Sequence, residues 1–350
     1  MKKVSIKDVA REAGVSVTTV SHILNHNDSR FSATTIKNVH AVSERLGYAP
    51  NKHAKQLRGS KIQTIGVILP SLTNPFFSAL MQSIHDHKPS DVDLCFLTST
   101  ATDLYDNIKH LIDRGIDGLI IAQYISSPDA LNNYLKKHHV PYVVLDQNNH
   151  QGYTDFVRTN EYQGGQLAAQ HLIELGHNNM MIVAPYDMMA NMSTRVAGFV
   201  DTLRTNQLPE PQIVHTELSK RGGLTIVDDI MVQSATAIFA INDELAIGIL
   251  RGLIEHGISI PKDISLIGYD DIDYAAYVSP PLTTVAQPIT DIGKTSLTLL
   301  LQRLQHLDKS IDMIELPTTL KIRATTGHHF SNQLRIFLNI LIIVMPLALL

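Results

Sequence analysis

Val4 to Asn25 reads VSIKDVAREAGVSVTTVSHILN, and the physics of this stretch is that of two short helices joined by a tight turn. Ser5 is suited to cap the first helix, with Asp8 three residues on, where a carboxylate meets free N–H groups and the positive end of the dipole. Ile6, Val9, Ala10 and Ala13 then recur at helical spacing and make one apolar face. Gly14 suits the left-handed residue that ends a helix, and Ser16 can cap the next. On that second helix Val20, Ile23 and Leu24 share one side. Thr18, Ser21 and His22 share the other, with Val17 at the border. An outer face of small polar groups, a methyl-rich residue and an imidazole can read base edges in a major groove. Together with Ser5, Ser16 and Thr19 at the helix starts, these side chains are the candidate DNA contacts of the segment. The plainer alternative is an ordinary helical hairpin.

Charge separates this segment from the rest of the chain. The 350 residues carry a net charge of −4. Residues 1–60 hold ten Lys and Arg against four acids, a net +6, which leaves −10 for the remainder. A basic head on an acidic body is the footprint of a nucleic-acid reader joined to something else. Apolar content of 44% and charged content of 18% are those of an ordinary globular protein. One cysteine, Cys95, excludes an internal disulfide and a cysteine-rich metal site. The charged start passes straight into a capped helix, unlike a signal peptide, so the expected compartment is the cytoplasm.

After the hairpin, a Ser32 cap opens a third helix with Ile36, Val39, Val42 and Leu46 as its stripe and Gly47 as its stop. The extended break Tyr48-Ala49-Pro50-Asn51 leads to a short basic segment, Lys52 to Arg58, closed by Gly59-Ser60. That segment is too short to be a stable helix alone. It reads as a helix that a partner orders and releases, or else as a simple linker. From Thr64 onward short apolar strands alternate with amphipathic helices. The strands are expected at 65–69, 93–97, 118–122, 140–145, 180–184, 213–216, 237–241 and 265–269, and the helices between them include 195–205 and one around 222–232. Continuous apolar strands of this kind form parallel sheets covered on both faces. They are too many for one small sheet, so two α/β lobes are expected. The expected organisation is a helix-turn-helix head at 1–48, a hinge helix and linker at 49–61, a two-lobed effector-binding and dimerisation domain at 62–326, and an apolar tail at 327–350.

In such sheets ligands bind beyond the carboxyl ends of the strands, at the crevice between lobes. That rule points to Asn74, Phe76 and Phe77 after the first strand, Asp146 after the fourth, and Asn242-Asp243 and Asp270-Asp271 after two later strands. Aromatic rings beside Asp, Asn, Gln and Arg suit a sugar, because rings stack on C–H faces while polar groups bind paired hydroxyls. Asn242 and Asp243 read equally well as caps of the helix that follows.

Taken together, residues 1 to about 326 resemble the lactose-repressor (LacI/GalR) family of bacterial transcription regulators. The strings that carry the resemblance are IKDVAREAGVSVTTVSHILN at 6–25, LGYAPNKHAKQLR at 46–58, ISLIGYDDID at 264–273 and PPLTTVAQP at 280–288. The resemblance implies the fold of an all-α helix-turn-helix head on a two-lobed periplasmic-binding-protein-like α/β sensor domain. It also implies a homodimer on near-palindromic double-stranded operator DNA. Carried over by position, the base-reading residues are Val17, Thr18 and His22. Leu57, with Ala54 one turn earlier, is the minor-groove wedge. Asn51, Lys55 and Arg58 flank it, the two basic residues supplying phosphate attraction. The effector pocket resembles that of ribose-binding members at Asn74, Phe76, Phe77, Asp146, Arg195, Asn242, Asp270 and Gln287. In that pattern two aromatic rings sandwich the furanose. Gln147 stands where the pattern has a second arginine, which leaves another pentose, hexose or phosphosugar open.

The implied function is a sugar-controlled repressor with ribose as effector and no cofactor. Two alternatives within the family are a catabolite regulator answering to a phosphocarrier protein and a purine-type regulator strengthened by a corepressor. Without a Gly-rich phosphate loop, a GxSxG or metal-spaced His and Cys, no enzyme is expected. The tail at Phe337–Leu350, FLNILIIVMPLALL, falls outside the resemblance. Its apolar run is shorter than the roughly 20 residues a membrane span takes, and Pro346 breaks a helix. Leu334, Leu338, Leu341 and Met345 have heptad-like spacing. The adopted reading is nevertheless of a segment with no role.

Overall fold

A computed structural model describes residues 4–24, 29–46, 48, 62–145 and 155–329. The expectations for Gly47, for the hinge residues Asn51, Ala54, Lys55, Leu57 and Arg58, for Asp146 and Gln147, and for the tail segment 330–350 lie outside the described residues.

The head is three helices: α1 (Ile6–Ala13), α2 (Val17–Leu24) and α3 (Ala33–Arg45). The Asp8 carboxylate accepts both the Ser5 backbone N–H at 3.0 Å and the Ser5 hydroxyl at 2.6 Å. Gly14 closes α1 at φ +69°, which lets the Val15 N–H reach back to the Ala10 carbonyl at 3.1 Å. Val9, Ala10, Ala13, Val20, Ile23, Val39 and Val42 form the core, one stripe from each helix. The Asn38 amide donates to the Ala13 carbonyl at 3.1 Å and ties α3 across the end of α1. No helix is long enough to be stable alone. Mutual burial of the three stripes is what holds them.

The body holds two six-stranded sheets. The first contains β1 (Gln63–Leu69), β2 (Val92–Thr98), β3 (Gly118–Ile121), β4 (Tyr142–Leu145), β5 (Asp155–Thr159) and β11 (Met313–Leu316), in the order β11-β5-β4-β3-β1-β2. Its helices are α4 (Pro75–Asp86), α5 (Leu104–Asp113), α6 (Pro128–Lys137) and α13 (Ile289–Gln305). The second contains β6 (Met180–Pro185), β7 (Gln212–Thr216), β8 (Ala237–Ala240), β9 (Ser265–Asp270), β10 (Thr283–Ala286) and β12 (Thr319–Lys321), in the order β12-β10-β9-β8-β6-β7. Around it run α7 (Glu161–Glu174), α8 (Ala190–Thr205), α9 (Lys220–Thr225), α10 (Val227–Met231), α11 (Asp243–Glu255) and α12 (Tyr274–Tyr277). Pairings are parallel between β6 and β7, β6 and β8, β8 and β9, and β9 and β10, while β12 is antiparallel to β10. The chain crosses between sheets after β5, after β10 and after β11, so residues 160, 287–288 and 317–318 form the hinge.

Both lobes and the strands that define them match the expected rhythm, with differences that have local causes. The strands β5, β10, β11 and β12 and the short helix α12 were not expected; their polar residues mask the apolar signal. The single helix expected over 222–232 is two, α9 and α10, which meet at Ile226 after a Gly-Gly pair of low helix propensity. That pair is there for packing: a Cβ on Gly223 would lie 2.2 Å from the Leu245 carbonyl oxygen. Helix α8 begins at Ala190, five residues before Arg195, where the expected helix started.

Candidate functional site

Within the head, Val20 and Ile23 are buried while Thr18 and His22 are exposed on the opposite face of α2. Val17 is half-buried against the head core. The Ser16 hydroxyl accepts the Thr19 N–H at 3.0 Å and shares a hydrogen bond with the Thr19 hydroxyl at 2.8 Å. Ser5, Ser16 and Thr19 therefore spend their hydroxyls on helix starts, while Thr18 and His22 stand exposed on the outward face and Ser21 is half-buried. The His22 ring lies 6.3 Å from the Phe31 ring at a tilt of 45°.

In the body, seven of the residues singled out from the sequence line one cavity of about 450 Å³: Asn74, Phe76, Phe77, Arg195, Asn242, Asp270 and Gln287. The first three come from the start of α4. Asn74 caps that helix, its side-chain oxygen accepting the Phe76 N–H at 2.9 Å. Asn242 does the same for α11, accepting the Leu245 N–H at 3.0 Å. The capping reading of Asn242 is therefore correct, and it holds together with a place in the cavity wall. Asp243 does not line the cavity. It is fully buried, accepts the Thr284 hydroxyl at 2.6 Å and the Ile272 N–H at 2.9 Å, and so holds the turn that follows β9. That turn is strained: Asp270 and Asp271 have φ of +114° and +58°. Asp271 points its carboxylate at Arg323, 2.6 Å away, and Asp270 faces the cavity.

Arg195 is the cation of the cavity wall. Its Nε donates to Glu161 Oε2 at 2.8 Å, and its guanidinium lies over the Tyr269 ring, 3.5 Å from the centroid. Burial, the largest single influence, favours loss of its proton. Glu161, Tyr269 and Asp270 outweigh that and hold its pKa above the ordinary guanidinium value. The Thr159 hydroxyl reaches Glu161 Oε1 at 2.8 Å and Gln287 Oε1 at 3.2 Å, and the Gln287 amide donates to Asp270 Oδ1 at 2.6 Å. Thr159, at the end of β5, and the hinge residue Gln287 thus join Arg195 and Asp270 in one buried polar chain.

One expectation needs correction. Phe76 and Phe77 do not face each other across a gap; their centroids are 5.1 Å apart at 88°. A flat ring held between two parallel faces needs roughly 7 Å, twice a carbon contact. Adjacent residues on one helix cannot open that space, so the sandwich from these two rings is excluded. Further parts of the wall come from Gln123–Ser126 after β3, from 189–192 at the start of α8 and from Leu218. These were missed, although the rule of strand carboxyl ends reaches all three places. Met and Leu carry no chemistry that marks them in a sequence. Glu161 and Thr159 were missed as well, since a lone acid at a helix start reads as a dipole partner.

Residues 5–51 match bacterial regulatory proteins of the lacI family, and residues 169–326 match the periplasmic binding protein-like domain. The repressor PurR of Vibrio parahaemolyticus is 33% identical over 329 residues, covering 92% of this chain and 98% of its own. The chain belongs to the lacI family. A LacI-family regulator of Enterococcus faecium, solved with bound ribose, is 41% identical with a TM-score of 0.73, covering 77% of this chain and all of that one. A lac repressor dimer, solved with its operator and an anti-inducer, is 29% identical with a TM-score of 0.76 over 93% of this chain and all of that one. This LacI-family protein is a DNA-binding transcriptional repressor under the control of a small-molecule effector, and not an enzyme. Among the described residues no helix is long and apolar enough to cross a membrane.

Proposed function

We propose that this LacI-family repressor answers to ribose, bound in the cavity between its two lobes, and that the sugar lowers its affinity for operator DNA. The observation that carries the reading is the convergence of Asn74, Phe76, Phe77, Arg195, Asn242, Asp270 and Gln287 on one cavity of about 450 Å³. These groups offer one aromatic pair for the sugar's C–H surface and several donors and acceptors for its hydroxyls. Two enterococcal LacI-family regulators with bound ribose, 41% and 40% identical, support the choice of sugar. In the head, Val17, Thr18 and His22 read the operator bases, with the segment from Asn51 to Arg58 in the minor groove of a dimeric complex. Ribose closes the lobes about the hinge and favours the state that does not hold DNA. Only its difference in affinity for the two states moves that equilibrium.

Titrating ribose into an operator complex in a mobility-shift assay tests this directly. Release of operator as the sites fill is the expected result, and unchanged affinity at saturating ribose rejects it. Asp270→Ala is expected to lose the response and keep DNA binding. The PurR-type relatives favour a second reading, a purine corepressor that strengthens operator binding. The sign of the ligand effect separates the two.

A further inference from the structure

Only two charged side chains line the cavity among the described residues, Arg195 and Asp270. A cation at a sugar site ordinarily invites a phosphate. Here the cation is already taken. Glu161 lies behind Arg195, outside the cavity lining, with both side chains almost wholly buried and 2.8 Å between Nε and Oε2. The second Glu161 oxygen accepts the Thr159 hydroxyl at 2.8 Å, so both carboxylate oxygens are engaged. Glu161 also starts α7, where the helix dipole favours a negative charge. Glu161 and Arg195 cancel, and Asp270 leaves the described surroundings of the cavity at net −1. A phosphate entering here would meet one compensated guanidinium and one carboxylate, and would lose its water without gaining a counter-charge.

We propose that Glu161 sets the charge selectivity of this site: by neutralising Arg195 from behind, it makes the cavity one for uncharged sugars and shuts out phosphorylated ones. This rests on the sugar reading above. Glu161 is a positioning and selectivity residue that does not touch the effector. It turns the guanidinium into a neutral-pair donor for hydroxyl oxygens and removes its pull on anions. Phosphosugar effectors, left open by Gln147, are rejected on this account.

The test is calorimetry on the full-length protein with three probes: ribose, ribose 5-phosphate, and 5-O-methylribose as the uncharged counterpart of the phosphate ester. Wild type is expected to bind 5-O-methylribose about a hundredfold or more tighter than ribose 5-phosphate. Glu161→Gln keeps the size and hydrogen-bonding reach of the side chain and removes its charge. It should shift that ratio about tenfold or more toward the phosphate, a change that a merely structural role would not produce. Wild type binding the two derivatives equally well, or excluding both while binding ribose, overturns the proposal without any variant. Ribose binding with an unchanged ratio in Glu161→Gln overturns it while leaving the sugar reading intact. No binding of ribose or 5-O-methylribose to wild type rejects the sugar reading and this proposal with it.

Discussion

Asp155 and Arg303 form a buried two-point ion pair, with Nη2 donating to Oδ1 at 2.6 Å and Nε to Oδ2 at 2.8 Å. The pair clamps α13 to β5, and it does more. The Arg303 guanidinium also donates to the Ser310 carbonyl at 2.7 Å, and Asp155 Oδ1 accepts the Asp312 N–H at 2.9 Å. The turn after α13 is thereby fixed so that β11 enters beside β5, with Met313 opposite Phe156. Removing Arg303 takes the two-point partner from a wholly buried carboxylate and leaves it only the more distant Lys309 ammonium, 3.9 Å away. Arg303→Ala is expected to lower unfolding free energy by about 3–5 kcal/mol, read by urea denaturation followed by circular dichroism. A loss below about 1 kcal/mol, the scale of a surface pair, would show that the clamp carries little.

Glycine at 165 is demanded by its neighbour. A Cβ there would lie 2.0 Å from the Arg195 carbonyl oxygen, backbone that cannot swing aside. Gly198 makes the reciprocal approach, 2.0 Å from the Tyr162 carbonyl. The two helices touch backbone to backbone, and α8 carries Arg195 into the cavity. Gly165→Ala should cost about 1–3 kcal/mol of stability, as overpacking does, and should weaken effector binding by displacing Arg195. The same change at Gly115, where φ is +78° and no atom lies within 4 Å, serves as a control. It should cost about 1 kcal/mol through backbone strain and leave effector affinity alone.

What could be read from the sequence follows from where polar groups sit. The apolar runs of β1, β3, β6 and β8 stand out because both faces are covered. DFVRT at 155–159 hides a strand because its acid is matched by Arg303 and Lys309, far along the chain. TTVA at 283–286 hides another because Thr283 and Thr284 satisfy their hydroxyls on Thr326 and Asp243. In the cavity the polar residues at strand ends were legible one by one. The pairing of Arg195 with Glu161 was not, since it needs the packing of α7 on α8. Phe76 and Phe77 were legible as cavity residues, but their edge-to-face geometry belongs to the helix that bears both.

His177 makes stability fall in mild acid. Buried against the end of the second sheet, it bonds Thr236 Oγ1 and Ser265 Oγ at 2.9 Å each, and Gly327 O at 3.1 Å. Burial above all pushes its pKa down from 6.5 to about 4. Between those values the unfolded chain binds the proton and the folded one does not, so stability is complete above pH 6.5 and drains as pH falls toward 4. His171, lowered by burial as well, adds in the same direction. Melting temperatures of the full-length protein across pH 4–7 should decline toward acid, and less steeply in His177→Gln. An identical decline in that variant would assign the acid sensitivity elsewhere.

Asp243 acts with the opposite sign, on the residue at the heart of the cavity. Burial, and after it the nearby Asp270, raises its pKa well above the ordinary carboxylate value. A folded pKa above the unfolded one means a contribution present at low pH and lost as pH rises through the folded value. Asp243→Asn keeps an acceptor for the Ile272 N–H and removes that titration, so the alkaline side of the stability profile should flatten. Asp243→Ala removes the acceptor itself. The turn at Asp270 and Asp271, held at φ of +114° and +58°, then loses the bond that offsets its strain. Effector affinity should fall by up to about tenfold, the net worth of one hydrogen bond, while operator binding without effector stays near wild type. Calorimetry paired with a mobility shift reads both quantities. Equal losses of effector and operator affinity would mean that Asp243 supports the fold at large rather than the strained turn.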